Sequence, residues 1–233
     1  MRSVILIPLL ATALAACGGG GSAKQAAAFN LQAGFTNLVR SGEMTSVSLS
    51  GNVIVGGVTT PFTGTGMLTL SPSVAATFNG TAGISQVTGI TGTVTSAGQT
   101  VNYTSSATEY YSSGTLTLVG ESTASEYDVA QAPFSFPTVI VGGESGTLGT
   151  LDRYTDSTLS LSLGTIQVTY AVPIGIDSPL VTAAIGITAK IYDTQNTLVE
   201  TDVTHYSLTT SNSLTFSSAS TQNASGSLLV SIP

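Results

Sequence analysis

Beyond Thr45, apolar and polar residues alternate in short runs that are typical of β-strands. Runs rich in Val, Ile, Thr and Tyr recur about every 8–12 residues and are separated by Gly, Asn and Ser. In "TLSLSLG" the side chains of Leu159, Leu161 and Leu163 fall on one face, and "GTLTLVG" repeats this spacing. Such alternation leaves one wetted face, which suits antiparallel pairing. We therefore predict an all-β fold, either an antiparallel β-sandwich or a meandering barrel.

One segment before the strands has a helical period instead. In "FNLQAGFTNLVRSG", the apolar residues Leu31, Phe35, Leu38 and Val39 are spaced at i, i+4, i+7 and i+8. Gly42 follows as a helix stop. The pattern predicts a short N-terminal amphipathic helix. Its apolar face could touch a membrane or a partner, but we favour a helix that packs on the sheet or plugs a barrel end.

The segment "ITAKIYDTQNTLVETDVTHY" predicts a β-hairpin whose register can be read from its alternation. A three-residue loop would pair Ile191 with Val199 and would place Lys190 opposite Glu200 on the other face. Asn196 would then take the left-handed backbone conformation that such loops require.

The chain also contains approximate repeats. "VIVGG" occurs at 53–57 and again at 139–143, and the segment 90–118 resembles the segment 187–216 in the same order. Because strands rich in Thr, Val and Gly match one another easily, coincidence is the alternative. We predict an internal duplication.

The N-terminal residues have the pattern of a targeting signal. Arg2 precedes an apolar run from Val4 to about Leu14, which is shorter than the roughly 20 residues of a membrane-spanning helix. The run fits the apolar region of a secretory signal, which ends in small residues. The final residues "LAAC", ending at Cys17, resemble the lipobox of bacterial lipoprotein signal peptides. That resemblance implies lipid attachment to the Cys17 sulfur, cleavage before Cys17 and acylation of the new amino terminus.

The resemblance also implies a location in the cell. Gly18 stands where lipoproteins retained in the inner membrane typically carry Asp, so we expect the cell outer membrane, with the periplasmic or surface face left open. Several acyl chains on one residue would give stable anchoring. The alternative is an ordinary secretory signal with a cysteine nearby by chance. As the only cysteine, Cys17 cannot form a disulfide within the chain.

These signals divide the chain into three parts. We expect residues 1–16 to form the signal peptide, and residues 17–28 to form the lipidated cysteine and a flexible Gly-rich tether. We predict that residues 29–233 form a single all-β body, because no Pro-rich or charge-rich linker interrupts them. Within this body, the two similar halves span about 46–125 and 134–220.

Composition narrows the classes of partner. Charged residues make up 7% of the chain, against about 25% in ordinary domains, and the formal net charge is −7. An acidic surface with so few Lys and Arg residues cannot neutralise many phosphates, so we expect no nucleic-acid partner. We expect the membrane to be contacted through the lipid at Cys17 rather than through a basic patch.

Catalytic motifs are weak. The one histidine, His205, would have to act as the base of a Ser-His-Asp triad, with Asp202 as a candidate orienter. His205 lies in the predicted strand "ETDVTHY" on the same face as Val199 and Val203, which favours a half-buried sheet histidine. No G-x-S-x-G motif accompanies it.

Metal and cofactor motifs are weak as well. One histidine cannot supply a zinc site. Asp152, Asp156 and Asp193 lie in acidic loops, but no Asp-x-Asp-x-Asp-Gly pattern marks a calcium loop. "GGESGTLG" lacks the lysine of a phosphate-binding loop. We predict no metal and no cofactor.

Tyr110 and Tyr111 in "TEYYSSG" are the candidate ligand contacts of the body. They could form an exposed aromatic platform for a sugar or a peptide, and the alternative is cross-strand packing at a strand end.

We therefore expect a non-catalytic outer-membrane lipoprotein. Its body would either bind a ligand through its loops or a barrel mouth, or support another envelope protein. The alternative is an envelope hydrolase that acts on a glycan or a peptide through unidentified carboxylates or His205.

The lipid anchor gives a first testable prediction. Wild-type protein should fractionate with membranes, and Cys17→Ala should release it, because the thiol that carries the lipid is gone. Blots of the membrane and soluble fractions measure this. If wild type and Cys17→Ala both fractionate as soluble protein, the anchor is wrong.

Overall fold

The structure is a computed structural model, and it describes residues 28–173 and 182–233. The predicted signal peptide, Cys17 and all of the tether except Ala28 lie outside the described residues.

One helix precedes thirteen strands in the described part of the chain. The elements are α1 (Leu31–Ser41), β1 (Glu43–Val55), β2 (Val58–Leu70), β3 (Val74–Phe78), β4 (Thr81–Ser96), β5 (Gln99–Ser112), β6 (Leu118–Ser122), β7 (Tyr127–Ala130), β8 (Ser145–Tyr154), β9 (Ser162–Ala171), β10 (Thr182–Tyr192), β11 (Leu198–Thr209), β12 (Leu214–Asn223) and β13 (Gly226–Ser231).

The strands form one antiparallel sheet that closes on itself. From β4 to β13 each strand pairs with the next along the chain, and β13 pairs with β1 and β1 with β2. The closure is the pairing of β2 with β4, in which nine residues from Phe62 to Leu70 face Thr88 to Ser96. The short strand β3 pairs with the beginning of β4 and stays outside the ring. The all-β prediction is confirmed, and the architecture is a closed barrel of twelve strands.

The barrel has two distinct ends. The turns β1–β2, β4–β5, β10–β11 and β12–β13 lie at one end, which we call the turn end. Helix α1 lies at the other, the helix end, where the Asn37 side-chain amide donates a hydrogen bond to the Asn212 carbonyl in the β11–β12 turn.

Helix α1 begins and ends where its sequence provides caps. The Asn30 side chain accepts a hydrogen bond from the Ala33 amide at 2.8 Å, and Gly42 at the C-terminus has φ +69°. Gly34 lies so close to β11 that a Cβ atom there would approach the Leu208 side chain to 2.7 Å. The buried face of the helix includes Leu38 and points into the barrel.

The interior is too wide for strand side chains alone. A barrel of about eight strands is just filled by its inward residues, and twelve strands enclose more space. Besides α1, the segment 131–144 contributes side chains to this space, although most of its residues are exposed. Phe134 is 1% exposed and packs against Gly149, and Phe136 stacks on Phe35 with 4.4 Å between ring centroids.

The predicted register of the β10–β11 hairpin is wrong by one residue. Ile191 pairs with Glu200 and Lys190 pairs with Thr201. The cause is a bulge, because Val199 is an extra residue between the Ile191 pair and the next pair toward the turn. Asn196 does adopt the left-handed conformation, with φ +60°.

This bulge decides which face of β11 points inward. Residues that alternate along a strand point to opposite faces. Glu200, Asp202 and Tyr206 therefore share the inward face, whereas Val203 and His205 face outward. The shift brings acidic side chains into the barrel that the predicted register would have left outside.

The predicted strand through Leu159, Leu161 and Leu163 is also corrected. Strand β9 begins only at Ser162, and Leu161 is 59% exposed in the turn before it. The Asp156 carboxylate accepts a hydrogen bond from the Thr158 amide at 2.8 Å, and Leu159 has φ +56°. This turn removes the first two leucines from the strand.

Of the two pairs of similar segments behind the predicted duplication, one pair differs in structure and the other pair forms hairpins in both copies. The first "VIVGG" forms the β1–β2 turn, whereas the second lies in the segment before β8. The segments 90–118 and 187–216 contain the hairpins β4–β5 and β10–β11. The duplication and the two halves stay predictions.

A buried amide that joins α1 to the barrel gives the second prediction. The Gln86 side-chain amide nitrogen donates to the carbonyls of Leu38 at 3.2 Å and Ser71 at 2.8 Å. Gln86→Leu should lower the free energy of unfolding by about 1–3 kcal/mol, because the Ser71 carbonyl loses its side-chain donor, whereas the Leu38 carbonyl keeps the Gly42 amide. Urea unfolding measures the change.

The matched control is Gln222→Leu on the outward face of β12, where the side chain is exposed. It should change the free energy of unfolding by less than about 0.5 kcal/mol. Equal effects of the two substitutions would contradict the bridging role of Gln86.

Candidate functional site

The candidate site is a cavity of about 150 Å³ in the barrel interior. Most of its wall is apolar, and α1 and the segment 131–144 contribute Phe35, Leu38 and Phe134 to it. The strands contribute the rest of the apolar wall, including Leu68, Ile90, Ile166, Val168 and Ile187.

One arc of the interior wall is polar. Five side chains on the consecutive strands β4 to β8 form it, and we call them the polar band: Gln86, Glu109, Glu121, Asp128 and Arg153. All except Arg153 line the cavity.

Strand register assembles the polar band. Gln86 pairs directly with Glu109, Glu109 with Glu121, Glu121 with Asp128, and Asp128 with Arg153. Residues directly opposite each other on neighbouring antiparallel strands point to the same face and have Cβ atoms about 4.5–5.5 Å apart. Because Gln86 contacts α1, the band starts at the helix end and crosses five strands.

Arg153 terminates the band. Its guanidinium forms a salt bridge with Glu126 at 3.1 Å and donates to the carbonyls of Leu163 at 3.3 Å and Tyr192 at 3.2 Å. Burial lowers the pKa of Arg153, and the nearby carboxylates of Asp128 and Glu200 oppose that shift. The one inward cation among the described residues is thus already held by several acceptors.

Glu109 lies in the middle of a group of buried hydroxyls. The Tyr111 hydroxyl donates a hydrogen bond to its carboxylate. Burial raises the pKa of Glu109, and this hydrogen bond opposes the rise. Burial, followed by the charge of Glu109, raises the pKa of both Tyr111 and Tyr206 well above the usual range. Tyr206 comes from β11, so polar groups meet here from two sides of the interior.

The bulged strand β11 supplies two further carboxylates. Asp202, 3% exposed, lines the cavity and accepts a hydrogen bond from the Thr221 hydroxyl at 2.8 Å. Glu200, 8% exposed, accepts one from the Asn223 amide at 2.6 Å. The second oxygen of Glu200, Oε1, is buried without a hydrogen-bond partner, and so is Oγ1 of Thr88 on the cavity wall.

Tyr110 and Tyr111 lie on opposite faces of β5. Tyr111 points inward, is buried and lines the cavity. Tyr110 is half-buried on the outside, where its ring stacks on Phe78 with centroids 4.6 Å apart, and Tyr127 stacks on the same ring at 4.9 Å. The two tyrosines therefore form no common platform.

His205 lies on the outward face of β11, opposite Gly186 and Ser218. Burial lowers the pKa of His205. Asp202 points inward from the same strand and contacts Thr221, so the sheet separates it from His205. The two side chains do not form the base and the orienter of a triad.

The acidic loop residues have local partners. Asp156 accepts from Thr158, and the Asp193 carboxylate accepts from the amides of Gln195 at 2.9 Å and Thr197 at 2.8 Å. Asp152, predicted to lie in a loop, lies in strand β8 instead, because it pairs with Val129 and Thr165 on the neighbouring strands, and its carboxylate accepts from the Gln131 side chain at 2.8 Å. Within residues 28–173 and 182–233, no three His, Cys, Asp or Glu side chains are grouped so as to hold a metal ion.

No helix in the described part of the chain is long and apolar enough to cross a membrane. Comparisons with protein-family models, curated proteins and solved structures give no match to this chain.

Reasoning from sequence missed the polar band. Its members are dispersed from Gln86 to Arg153, and only the strand register brings them together. The one local signal was the spacing of Glu200 and Asp202 on a single strand face, which the bulge at Val199 turns inward.

The raised pKa of Glu109 gives the third prediction. A carboxyl whose folded pKa lies above its unfolded value binds more protons in the native state, so its contribution to stability falls as the pH rises between the two values. Glu109→Gln removes this contribution. The free energy of unfolding of Glu109→Gln minus that of wild type should therefore increase as the pH rises from about 4.5 toward 7.

Urea unfolding of both proteins at several pH values measures this difference. A difference that stays constant across the range, or that decreases with pH, would contradict a buried carboxyl at this position.

Proposed function

We propose that the protein is a non-catalytic lipoprotein of the bacterial outer membrane that binds a small, mainly apolar molecule inside its barrel. The lipobox-like "LAAC" ending at Cys17 and the Gly-rich stretch after it support the anchor and the tether. The body then carries the binding function at a short distance from the lipid.

The observation that carries the binding proposal is the interior cavity. Its volume of about 150 Å³ matches the size of an apolar cavity that accommodates one benzene ring. Burial of an apolar ligand against the surrounding Leu, Ile and Phe side chains supplies the driving force. A few polar groups on one arc would orient the ligand, as is typical of small-molecule sites.

The other two roles have weaker support. A structural role would use an unpaired sheet edge, and β3 offers one, since it pairs only with β4 in the described part of the chain. That edge is five residues long, and short edge strands protect against pairing. A hydrolase would use the carboxyls that converge in the interior, but a glycan or peptide chain needs more room than this cavity provides.

Binding of a bare apolar probe tests the proposal. Toluene at about ten times its dissociation constant should stabilise the full-length protein by about 1.4 kcal/mol, which raises the thermal unfolding midpoint by about 3–5 °C. Ala189→Leu should abolish the shift, because Ala189 lines the cavity and the larger side chain fills it.

The matched control is Ala184→Leu on the outward face of the same strand, where the residue is exposed. It should retain the toluene shift. If toluene leaves the unfolding midpoint of wild type unchanged, or if both variants retain the shift, the barrel interior is not the binding site.

A further inference from the structure

The distribution of charge around the cavity points to one chemical class of ligand. Of the cations in the described part of the chain, Arg40 and Lys190 are exposed, so Arg153 alone faces the interior. Four carboxyl side chains line the cavity: Glu109, Glu121, Asp128 and Asp202. A fifth, that of Glu200, lies on the same inward face of β11 as Asp202. The interior therefore carries a large excess of acidic groups.

The positions of these carboxyl groups on the strands make the excess of negative charge destabilising. Glu121 has a carboxyl residue directly opposite it on both sides, Glu109 on β5 and Asp128 on β7. Like charges in directly opposed positions destabilise a sheet. Such a row is maintained at low cost only when protons or a positive group neutralise part of its charge.

Two buried acceptors give an independent indication. Glu200 Oε1 has no hydrogen-bond partner although the residue is 8% exposed, and the Glu200 carboxylate lies near Arg153. Thr88 Oγ1 has none either, and it lies on the cavity wall two residue pairs along the β4–β5 ladder from Gln86 and Glu109. Buried acceptors without donors are rare in native structures and call for an explanation. An ammonium group offers three donors and no acceptor.

We propose that the molecule bound in the barrel is a small organic cation with a compact apolar body and one ammonium group. This inference rests on the proposed function. The body, of about one six-membered ring, occupies the apolar wall formed by side chains such as those of Ile90 and Val168. The ammonium group faces the polar band and Asp202, where carboxylates accept its hydrogen bonds.

A matched set of probes tests this class. Benzylamine, benzyl alcohol, benzoate and toluene share one ring and differ in charge and in hydrogen-bonding groups. Isothermal titration calorimetry on the full-length protein at pH 7 should show benzylamine binding at least about tenfold tighter than toluene or benzyl alcohol, as expected for hydrogen bonds to charged groups. Benzoate should bind the weakest, because carboxylates repel it.

Two variants test which carboxylates bind the ammonium group of benzylamine. Glu109→Gln and Asp202→Asn keep the size of each side chain and an oxygen that accepts from Tyr111 or Thr221. Each should weaken benzylamine binding by about tenfold and leave toluene binding within about twofold. Asp156→Asn removes the same charge from an exposed turn and should change neither affinity.

The outcomes separate this inference from the proposed function. If toluene binds and benzylamine binds no tighter, the interior cavity is a binding site but the ligand is not a cation. Binding of benzoate that is tighter than that of benzylamine would also contradict a cationic ligand. So would equal benzylamine affinity in Glu109→Gln, Asp202→Asn and wild type. If none of the four probes binds, the proposed function fails and this inference fails with it.

Discussion

Closure of the sheet through β2 and β4 is the constraint on which the rest of the structure depends. Nine residue pairs join these strands, and β3 makes the closure possible because it takes up only the first part of β4. Closure satisfies the backbone hydrogen bonds of strands that would otherwise be edges. It also fixes the strand number at twelve, and with it an interior wider than inward side chains fill. The need to fill that space explains why α1 and the Phe134 and Phe136 side chains pack into the interior, and why a cavity remains.

Register then determines the chemistry of the interior. Once Gln86 faces inward, direct pairing places Glu109, Glu121, Asp128 and Arg153 on the same face, strand after strand. On β11, the bulge at Val199 turns the acidic residues Glu200 and Asp202 toward the interior as well. Polar groups in a barrel interior cost free energy unless they are hydrogen-bonded. Here Thr221, Asn223 and Tyr111 offset much of that cost, and the acceptors left without donors are the reason to infer a cationic ligand.

The sequence was a good guide to element type and a poor guide to pairing. Period-two alternation sufficed for the all-β class, and Asn196 was placed correctly because its left-handed conformation is a local property of the turn. The Val199 bulge is decided by pairing across the whole sheet, so local alternation misassigned it. Leu159 and Leu161 alternate like strand residues, but the Asp156 turn outweighs that pattern. The site depends on several such pairings at once, which explains why Glu109 and Asp202 could not be singled out beforehand.

The interior site exists only if the face of β11 that carries Glu200 and Asp202 points into the barrel. In a Cys17→Ser background, Thr201→Cys and Asp202→Cys each introduce the only thiol of the chain, on opposite faces of the strand. Labelling of the folded proteins with a bulky maleimide measures the access of each thiol to solvent. We predict rapid labelling at position 201 and slow labelling at position 202 until the protein is unfolded. Faster labelling at position 202 than at position 201 in the folded protein would mean that the acidic face points outward, and the interior site described here would not exist.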